Sequence, residues 1–465
     1  MLPLLLSLLS PAQALDPGPY TVSSRSVTWL DDSRGLMRVT VHYPALAAGP
    51  DAPADLSGGP YPLAAFLHGW LGSAWMYSEA CDHLASLGLV VVNMDTETHP
   101  FLDVERFARD TVVALEWADD RSLEADHWLA GMVSDDDWTA MGHSMGGATL
   151  ARVIDFEPRV RTLIGFMPYE SDREADYAAL SAFDGQALYL VGTEDVTSTP
   201  PMVQEWFDHM DATERGLYAN IVGAGHQAVS NFEWGTESMP DPIQQDVVLT
   251  YASQFLEHEV LGEPRGLRGL LFEPPAETTR WASRSHVPKI WLDAPDSGVI
   301  EVGTLAELDA ELVLYAGRGP GATPTPHGPV DLADAVAVQA VTSTDGIVAV
   351  EVPISPALAA SWVQVAVISE SGTVLGPPTD LFGVGLPDDD DEPLDGTSSD
   401  TSTSGGTTSP GSTTDPGTPT STDDGGRSRR AGALTAAGRC GGCTHGGSTS
   451  PGLLLALLLF LRRRR

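Results

Sequence analysis

The chain has 465 residues, 42% of them hydrophobic, which at about 150 residues per domain is enough for two or three folded units with sizeable cores. With 64 Asp plus Glu against 25 Lys plus Arg the formal charge is -39, so the surface repels polyanions and nucleic acid is excluded as a partner. Three cysteines, Cys81, Cys440 and Cys443, exclude a disulfide scaffold, and stability has to come from burial.

Residues 1–14 read MLPLLLSLLSPAQA, an apolar run ending in the small-x-small pattern Ala12-Gln13-Ala14, and are expected to be a signal peptide cut after Ala14. Val27–Leu30 and Leu36–Tyr43 then read as strands, the second alternating Met37, Val39, Val41 and Tyr43, and are expected to form an antiparallel edge. Strand Leu63–Leu67, a helix over Met76–Leu87, strand Leu89–Asn93 and a helix over Val104–Ala118 follow. The alternation continues with strand Trp138–Met141, a helix from Met145, strands Thr162–Phe166 and Ala187–Val191, a helix near Met202–Met210, strand Leu217–Val222 and a helix over Ile243–Val260. Strands apolar throughout and separated by amphipathic helices predict a mostly parallel sheet covered on both faces over residues 20–264, with its ligand at the carboxyl ends of the strands.

Residues 265–386 change rhythm. Short apolar runs at Leu270–Phe272, Lys289–Leu292, Glu311–Tyr315, Ala335–Val341, Ile347–Val352 and Val363–Ile368 are separated by Gly, Pro and Asp clusters, which predicts a small β-sandwich acting as a spacer or accessory domain. Trp281, Trp291 and Trp362 are expected in its core rather than on a polymer- or glycan-binding platform. Residues 387–426 open on an acidic run, Asp388 to Glu392, and continue almost wholly in Ser, Thr, Gly, Pro and Asp, a composition with no apolar face to bury. Residues 427–465 carry Cys440-Gly441-Gly442-Cys443, the apolar run Leu453 to Leu461 and four terminal arginines, and this order resembles the C-terminal surface-sorting tags of myxobacteria. Nine apolar residues are too few for a stable transmembrane helix, so the tail is expected to touch the membrane transiently while the protein is placed at the cell surface or released.

Gly142-His143-Ser144-Met145-Gly146 lies between a predicted strand and a predicted helix, the setting that makes Gly-x-Ser-x-Gly a nucleophile elbow. A serine hydroxyl needs a histidine base and an acid that orients it. Strand Ala187–Val191 runs into Gly192-Thr193-Glu194-Asp195, and Asp195 is the candidate acid, with Glu194 competing; Asp172, Asp176 and Asp184 read as solvated charges. The next strand runs into Gly223-Ala224-Gly225-His226, which makes His226 the candidate base, while His209 and His258 fall within predicted helices and read as surface residues. The oxyanion needs two backbone donors, Met145 after the serine and Trp70 in His68-Gly69-Trp70-Leu71-Gly72 after the strand Leu63–Leu67.

HGWLGS, LASLGLVVVNMDTET, MGHSMGGATL, GFMPYE, YLVGTEDVTSTPP and GAGHQAVSN occur in that order, and residues 60–260 resemble bacterial cutinases and the related polyester (PET) hydrolases. Much of this is shared with esterases like platelet-activating-factor acetylhydrolase and chlorophyllase. The resemblance implies an α/β-hydrolase fold and carboxylic-ester hydrolysis with Ser144 as nucleophile, Asp195 orienting, His226 as base, and Trp70 and Met145 as oxyanion donors. No cofactor and no metal are expected, since Asp135-Asp136-Asp137 and Asp388 to Asp391 lack the spacing of a calcium loop. Trp70 stands where cutinases usually carry Tyr or Phe, and Tyr169 where they usually carry a Trp that stacks on the acyl part of the substrate. Only 20 residues, Met167 to Gln186, connect two strands at the point where many lipases insert a lid, so an open groove taking small or polymeric esters is expected. A lipase or acetylhydrolase-like esterase, and a non-catalytic adhesion or scaffold protein on the same fold, are the competing readings.

Overall fold

The computed structural model describes residues 15, 17–134, 137–169, 173–232, 237–274, 278–294, 298–343 and 345–382. The expected signal peptide, acidic linker and C-terminal tag lie outside these residues.

The first part of the chain runs β1 (Val22–Asp31), β2 (Gly35–Pro44), β3 (Leu63–Leu67), a 3-10 turn (Ala74–Tyr77), α1 (Ser78–Ser86), β4 (Val90–Met94), α2 (Val104–Ser122), β5 (Trp138–His143) and α3 (Met145–Phe156). It continues through β6 (Val160–Phe166), α4 (Arg173–Ala182), β7 (Gln186–Gly192), α5 (Pro200–Asp208), β8 (Arg215–Ile221), α6 (Asp241–Glu259), α7 (Pro264–Phe272) and β9 (Thr278–Ser285). The nine strands form one sheet in the order β1-β2-β4-β3-β5-β6-β7-β8-β9. β3 to β8 are parallel, while β1, β2 and β9 join antiparallel at the two edges.

The period-two alternation of side chains explains how the sheet is covered. Leu63, Ala65 and Leu67 of β3 pack with Phe107 and Leu115 of α2, Leu150 of α3 and Trp206 of α5. Ala64 and Phe66, between them, face the opposite layer with Leu84 of α1, Tyr251 and Phe255 of α6 and Leu270 of α7. Local signals place the helix ends: the Asp103 carboxylate accepts from the Arg106 amide at 3.0 Å and caps α2, and Pro200 opens α5.

Two elements differ from their expected form. Leu270–Phe272, expected as a short strand, is the last turn of α7, whose Leu267, Leu270 and Leu271 are buried on the helix layer. β9, which lies beyond the break drawn at residue 264, extends the main sheet by pairing with β8 from Arg215 opposite Ser285 to Ile221 opposite Thr278. A second strand in register can complete a sheet edge whatever the composition around it, and this pairing is non-local.

The remaining strands are β10 (Lys289–Asp293), β11 (Val299–Leu305), β12 (Glu311–Gly317), β13 (Pro320–Thr325), β14 (Gly328–Leu332), β15 (Val336–Thr342), β16 (Ile347–Pro353), β17 (Trp362–Ser369), β18 (Gly372–Leu375) and β19 (Thr379–Asp380). They form antiparallel sheets β10-β11-β16 and β15-β12-β17-β18, with β19 on β17 and a β13-β14 hairpin. Ile300, Val302 and Val348 of one sheet meet Leu312, Leu314, Val363, Val365 and Val367 of the other in a shared core. Trp291 and Trp362 are half-buried against hydrophobic clusters, and the Trp281 side chain lies outside the described residues. α7 is the seam between the two parts. A Cβ on Gly303 would stand 2.9 Å from Leu271, and the Arg268 guanidinium donates to both carboxylate oxygens of Glu301 at 2.9 and 2.8 Å.

Candidate active site

β5 delivers the chain to Ser144 at the carboxyl edge of the sheet, and α3 leaves it immediately. Ser144 has φ 54° and ψ -118°, a conformation L-residues rarely adopt, which costs on the order of 1–3 kcal/mol and persists only where the surroundings impose it. The surroundings are three glycines. A Cβ on Gly142 would lie 2.5 Å from the Gly146 carbonyl, one on Gly146 would lie 2.2 Å from the Leu67 oxygen, and one on Gly147 would lie 2.7 Å from Pro168. Strand, turn and helix backbones therefore come closer than any side chain allows.

The turn aims the Ser144 hydroxyl at His226, which follows β8: the Oγ–H donates to Nε2 at 2.9 Å. On its other side the Nδ1–H of His226 donates to Oδ2 of Asp195, which follows β7, at 2.8 Å. The Asp195 side chain is fully buried, and its second oxygen accepts the amides of Thr197 and Ser198 at 2.7 and 2.8 Å. A buried carboxylate that accepts three hydrogen bonds across both oxygens is a rigid anchor. Glu194, the competing acid, turns away and binds Ser238 through its amide and hydroxyl.

Met145 directly follows the serine, and Gly69, next to Trp70, lies against it: a Cβ there would stand 3.2 Å from Ser144 Cβ. Met145 is the first residue of α3, so its amide points out of the positive end of a 12-residue helix. The Trp70 loop is pinned at several points: its indole N–H donates to the Pro100 carbonyl at 2.9 Å, and the ring nitrogens of the buried His68 lie 2.8 and 2.7 Å from the carbonyls of Gly69 and Thr96. Among the described residues, neither the Trp70 nor the Met145 amide donates a hydrogen bond. Tyr169 is half-buried, and its amide donates to the Ser144 carbonyl at 2.9 Å, which fixes it beside the elbow.

The loop that follows His226 is tied across the mouth by Asn231. Its amide donates to Met76 O at 2.8 Å and its side chain to Trp75 O at 3.1 Å and Ser78 Oγ at 2.8 Å. Trp75, 62% exposed, meets Phe232 edge-on with ring centroids 5.0 Å apart.

The sequence reading did not single out two buried residues beneath the site. His143, directly before Ser144, contacts the His226 carbonyl through Nε2 at 2.6 Å and Tyr77 Oη through Nδ1 at 2.8 Å, and burial drives its pKa down to about 3. Tyr77 falls in the sequence within the expected helix Met76–Leu87, and only the fold brings it, in the 3-10 turn before α1, to His143.

Three polar residues differ from their expected surroundings. His258 is half-buried, its side chain 11% exposed, and partial burial next to Lys289 and Arg215 lowers its pKa to about 4. His209 stacks on Tyr177 with centroids 3.9 Å apart. Asp176, expected to be a solvated charge, is fully buried and paired with Arg152 at 3.0 Å. A helix at the rim of a sheet buries one side of itself, and the sequence does not say which side carries the charge.

None of the curated proteins matches the chain. The model of the PET hydrolase-like family, PETase, matches residues 11–236, a span that contains Ser144, Asp195 and His226. With the mixed, mostly parallel sheet and its flanking helices, this match is consistent with a PET hydrolase-like α/β-hydrolase segment over residues 11–236, and it supports an ester hydrolase.

Proposed function

We propose that the protein is an exported serine carboxylic-ester hydrolase of cutinase or polyesterase type that works through an acyl-enzyme. The observation that carries this reading is the unbroken run Ser144 Oγ, His226 Nε2, His226 Nδ1, Asp195 Oδ2 at 2.9 and 2.8 Å. His226 takes the Ser144 proton as Oγ attacks the ester carbonyl, and Asp195 holds the ring in the tautomer that leaves Nε2 free to accept it. The tetrahedral oxyanion receives the amides of Trp70 and Met145, donors that have no other acceptor to give up among the described residues. Collapse expels the alcohol, which takes the proton from Nε2, and water repeats the sequence to release the acid. An intact contact between Ser144 and His226 weighs against a non-catalytic scaffold.

The groove is read as open because α4, the helix in the connection from β6 to β7, is committed to the core through Leu180, with Phe183 buried just beyond it. Trp70 and Tyr169 then flank the acyl group with aromatic faces suited to flat or aliphatic units of small or polymeric esters. Ala12-Gln13-Ala14 and the tail from Cys440 to Arg465 support export and transient membrane contact, leaving the protein at the cell surface or released. The test is an ester chain-length series with a polyester film, run on the wild type and on Ser144→Ala. Short- and medium-chain turnover without a jump at the substrate's micelle threshold is expected in the wild type, with a loss of about 10⁴-fold or more in Ser144→Ala. Substantial activity in a folded Ser144→Ala protein would overturn the reading.

A further inference from the structure

Below the serine runs a second hydrogen-bonded chain that shares no side chain with the first. The Gly69 amide donates to Tyr77 Oη at 3.1 Å, Tyr77 Oη lies 2.8 Å from His143 Nδ1, and His143 Nε2 lies 2.6 Å from the His226 carbonyl oxygen. The two ends fix the direction of every proton between them. A carbonyl only accepts, so His143 carries its proton on Nε2, and Nδ1 is then an acceptor for the Tyr77 hydroxyl proton. An amide only donates, so the lone pair of Tyr77 is what Gly69 meets. Each donor in the run has one acceptor, and no polar atom along it is left over.

The chain has one permitted protonation state. Tyr77 is 1% exposed and His143 2% exposed, and burial pushes the phenol up and the imidazole down. A proton added to Nδ1 would face the Tyr77 oxygen and leave the phenol proton without an acceptor. Gly69 is pressed against the same group: a Cβ there would stand 3.0 Å from His143 Nδ1, 3.2 Å from Ser144 Cβ and 3.3 Å from Tyr77 Oη.

The ends of the chain are the informative part. Gly69 precedes Trp70, whose amide is one proposed oxyanion donor, and the His226 carbonyl belongs to the proposed base. The elbow residue next to the nucleophile thus joins the loop that receives the oxyanion to the backbone that carries the base. We infer that Tyr77 and His143 are positioning residues that set the Trp70 amide and the His226 imidazole relative to Ser144. The inference rests on the serine-hydrolase reading given above. A shift of about 1 Å in such groups costs on the order of a hundredfold in rate, because the reacting atoms leave their attack geometry.

Steady-state kinetics on p-nitrophenyl butyrate with purified full-length variants tests it. Tyr77→Phe removes one oxygen from a buried ring and is expected to lower kcat about 10- to 100-fold with KM changed less than about threefold. His143→Gln, whose amide N–H can reach the position of Nε2–H, is expected to keep at least about tenfold more kcat than His143→Leu, which cannot donate to His226. Leu84→Ala, in α1 just after the turn that carries Tyr77 and fully buried in the same hydrophobic cluster, is the stability control: it is expected to lower Tm at least as far as Tyr77→Phe and to keep kcat within about twofold. The inference is overturned if Tyr77→Phe keeps kcat within threefold of wild type, if Leu84→Ala loses kcat to the same degree, or if His143→Gln and His143→Leu are equally impaired. Ser144→Ala separates the two levels: retained activity there sinks the serine mechanism itself, whereas its loss alongside an unimpaired Tyr77→Phe sinks only the positioning role.

Discussion

Gly146 stands so close to the carbonyl oxygen of Leu67 that a single added carbon would lie 2.2 Å from it, and 2.6 Å from the His68 oxygen. Both are backbone atoms of the strand and loop that carry the Trp70 amide, so neither can rotate away. Gly146→Ala is therefore expected to push β3 from α3, lowering Tm and cutting esterase kcat by about a hundredfold. Retention of both in a purified Gly146→Ala protein would show that the elbow tolerates a wider spacing.

Asp195→Asn replaces the acceptor of the His226 Nδ1 proton with a group that can offer it an N–H. The ring then favours the tautomer protonated on Nε2, which cannot accept the serine proton. A loss of about 10⁴-fold in kcat is expected with the fold retained, whereas Glu194→Gln, at the neighbouring carboxylate that binds Ser238, should stay within about threefold. Comparable losses in the two variants would argue against Asp195.

His258 is neutral when folded, with a pKa lowered to about 4 from an ordinary 6.5, first by burial and then by Lys289 and Arg215. Once unfolded, the ring binds a proton below its ordinary value, so the unfolded state gains protons first. Stability is then lost as pH falls from 6.5 toward 4, by up to about 1.4 kcal/mol per pH unit for this group. Urea midpoints measured between pH 7 and 4.5 should fall more steeply for the wild type than for His258→Leu, and parallel curves would sink the assignment.

Tyr169 is held beside Ser144 by its own backbone, so Tyr169→Ala removes an aromatic face without moving the elbow. Release of product from a polyester film is expected to fall about fivefold or more, and hydrolysis of p-nitrophenyl butyrate to change less than about twofold, since the smaller ester needs fewer flanking contacts. Equal losses on both substrates would remove Tyr169 from the polymer-binding groove.

Because α7 and β9 belong to the first sheet and its helix layer, a chain stopped after Glu263 loses three buried leucines and the strand that covers β8. Each buried leucine contributes roughly 1.5–3 kcal/mol, so Tm should fall by at least about 10 °C relative to a chain stopped after His286, as read by thermal denaturation. Equal melting of the two would show that the sheet does not depend on its ninth strand.

Much of this architecture is written locally. Continuous apolar runs such as Leu63–Leu67 and Ala187–Val191 can only be strands buried on both faces, and the glycines around Ser144 announce a turn too tight for side chains. That local writing, together with the order serine, acid, histidine, singles out Ser144, Asp195 and His226 as candidates in the sequence, with Glu194 competing for the place of the acid. It was also enough to anticipate a β-rich second part. It was not enough for β9 or α7: whether Thr278–Ser285 pairs with β8 depends on partners 57 to 70 residues away, and three leucines on a nine-residue segment fit either period. Nor does spacing reveal that Tyr77 and His143 meet, that the Glu194 carboxylate is spent on Ser238, that His258 is half-buried beside two cations, or that Asp176 is buried. Sequence periodicity determines which residues leave water; which polar groups they take with them, and what those groups touch, is settled only when distant segments pack.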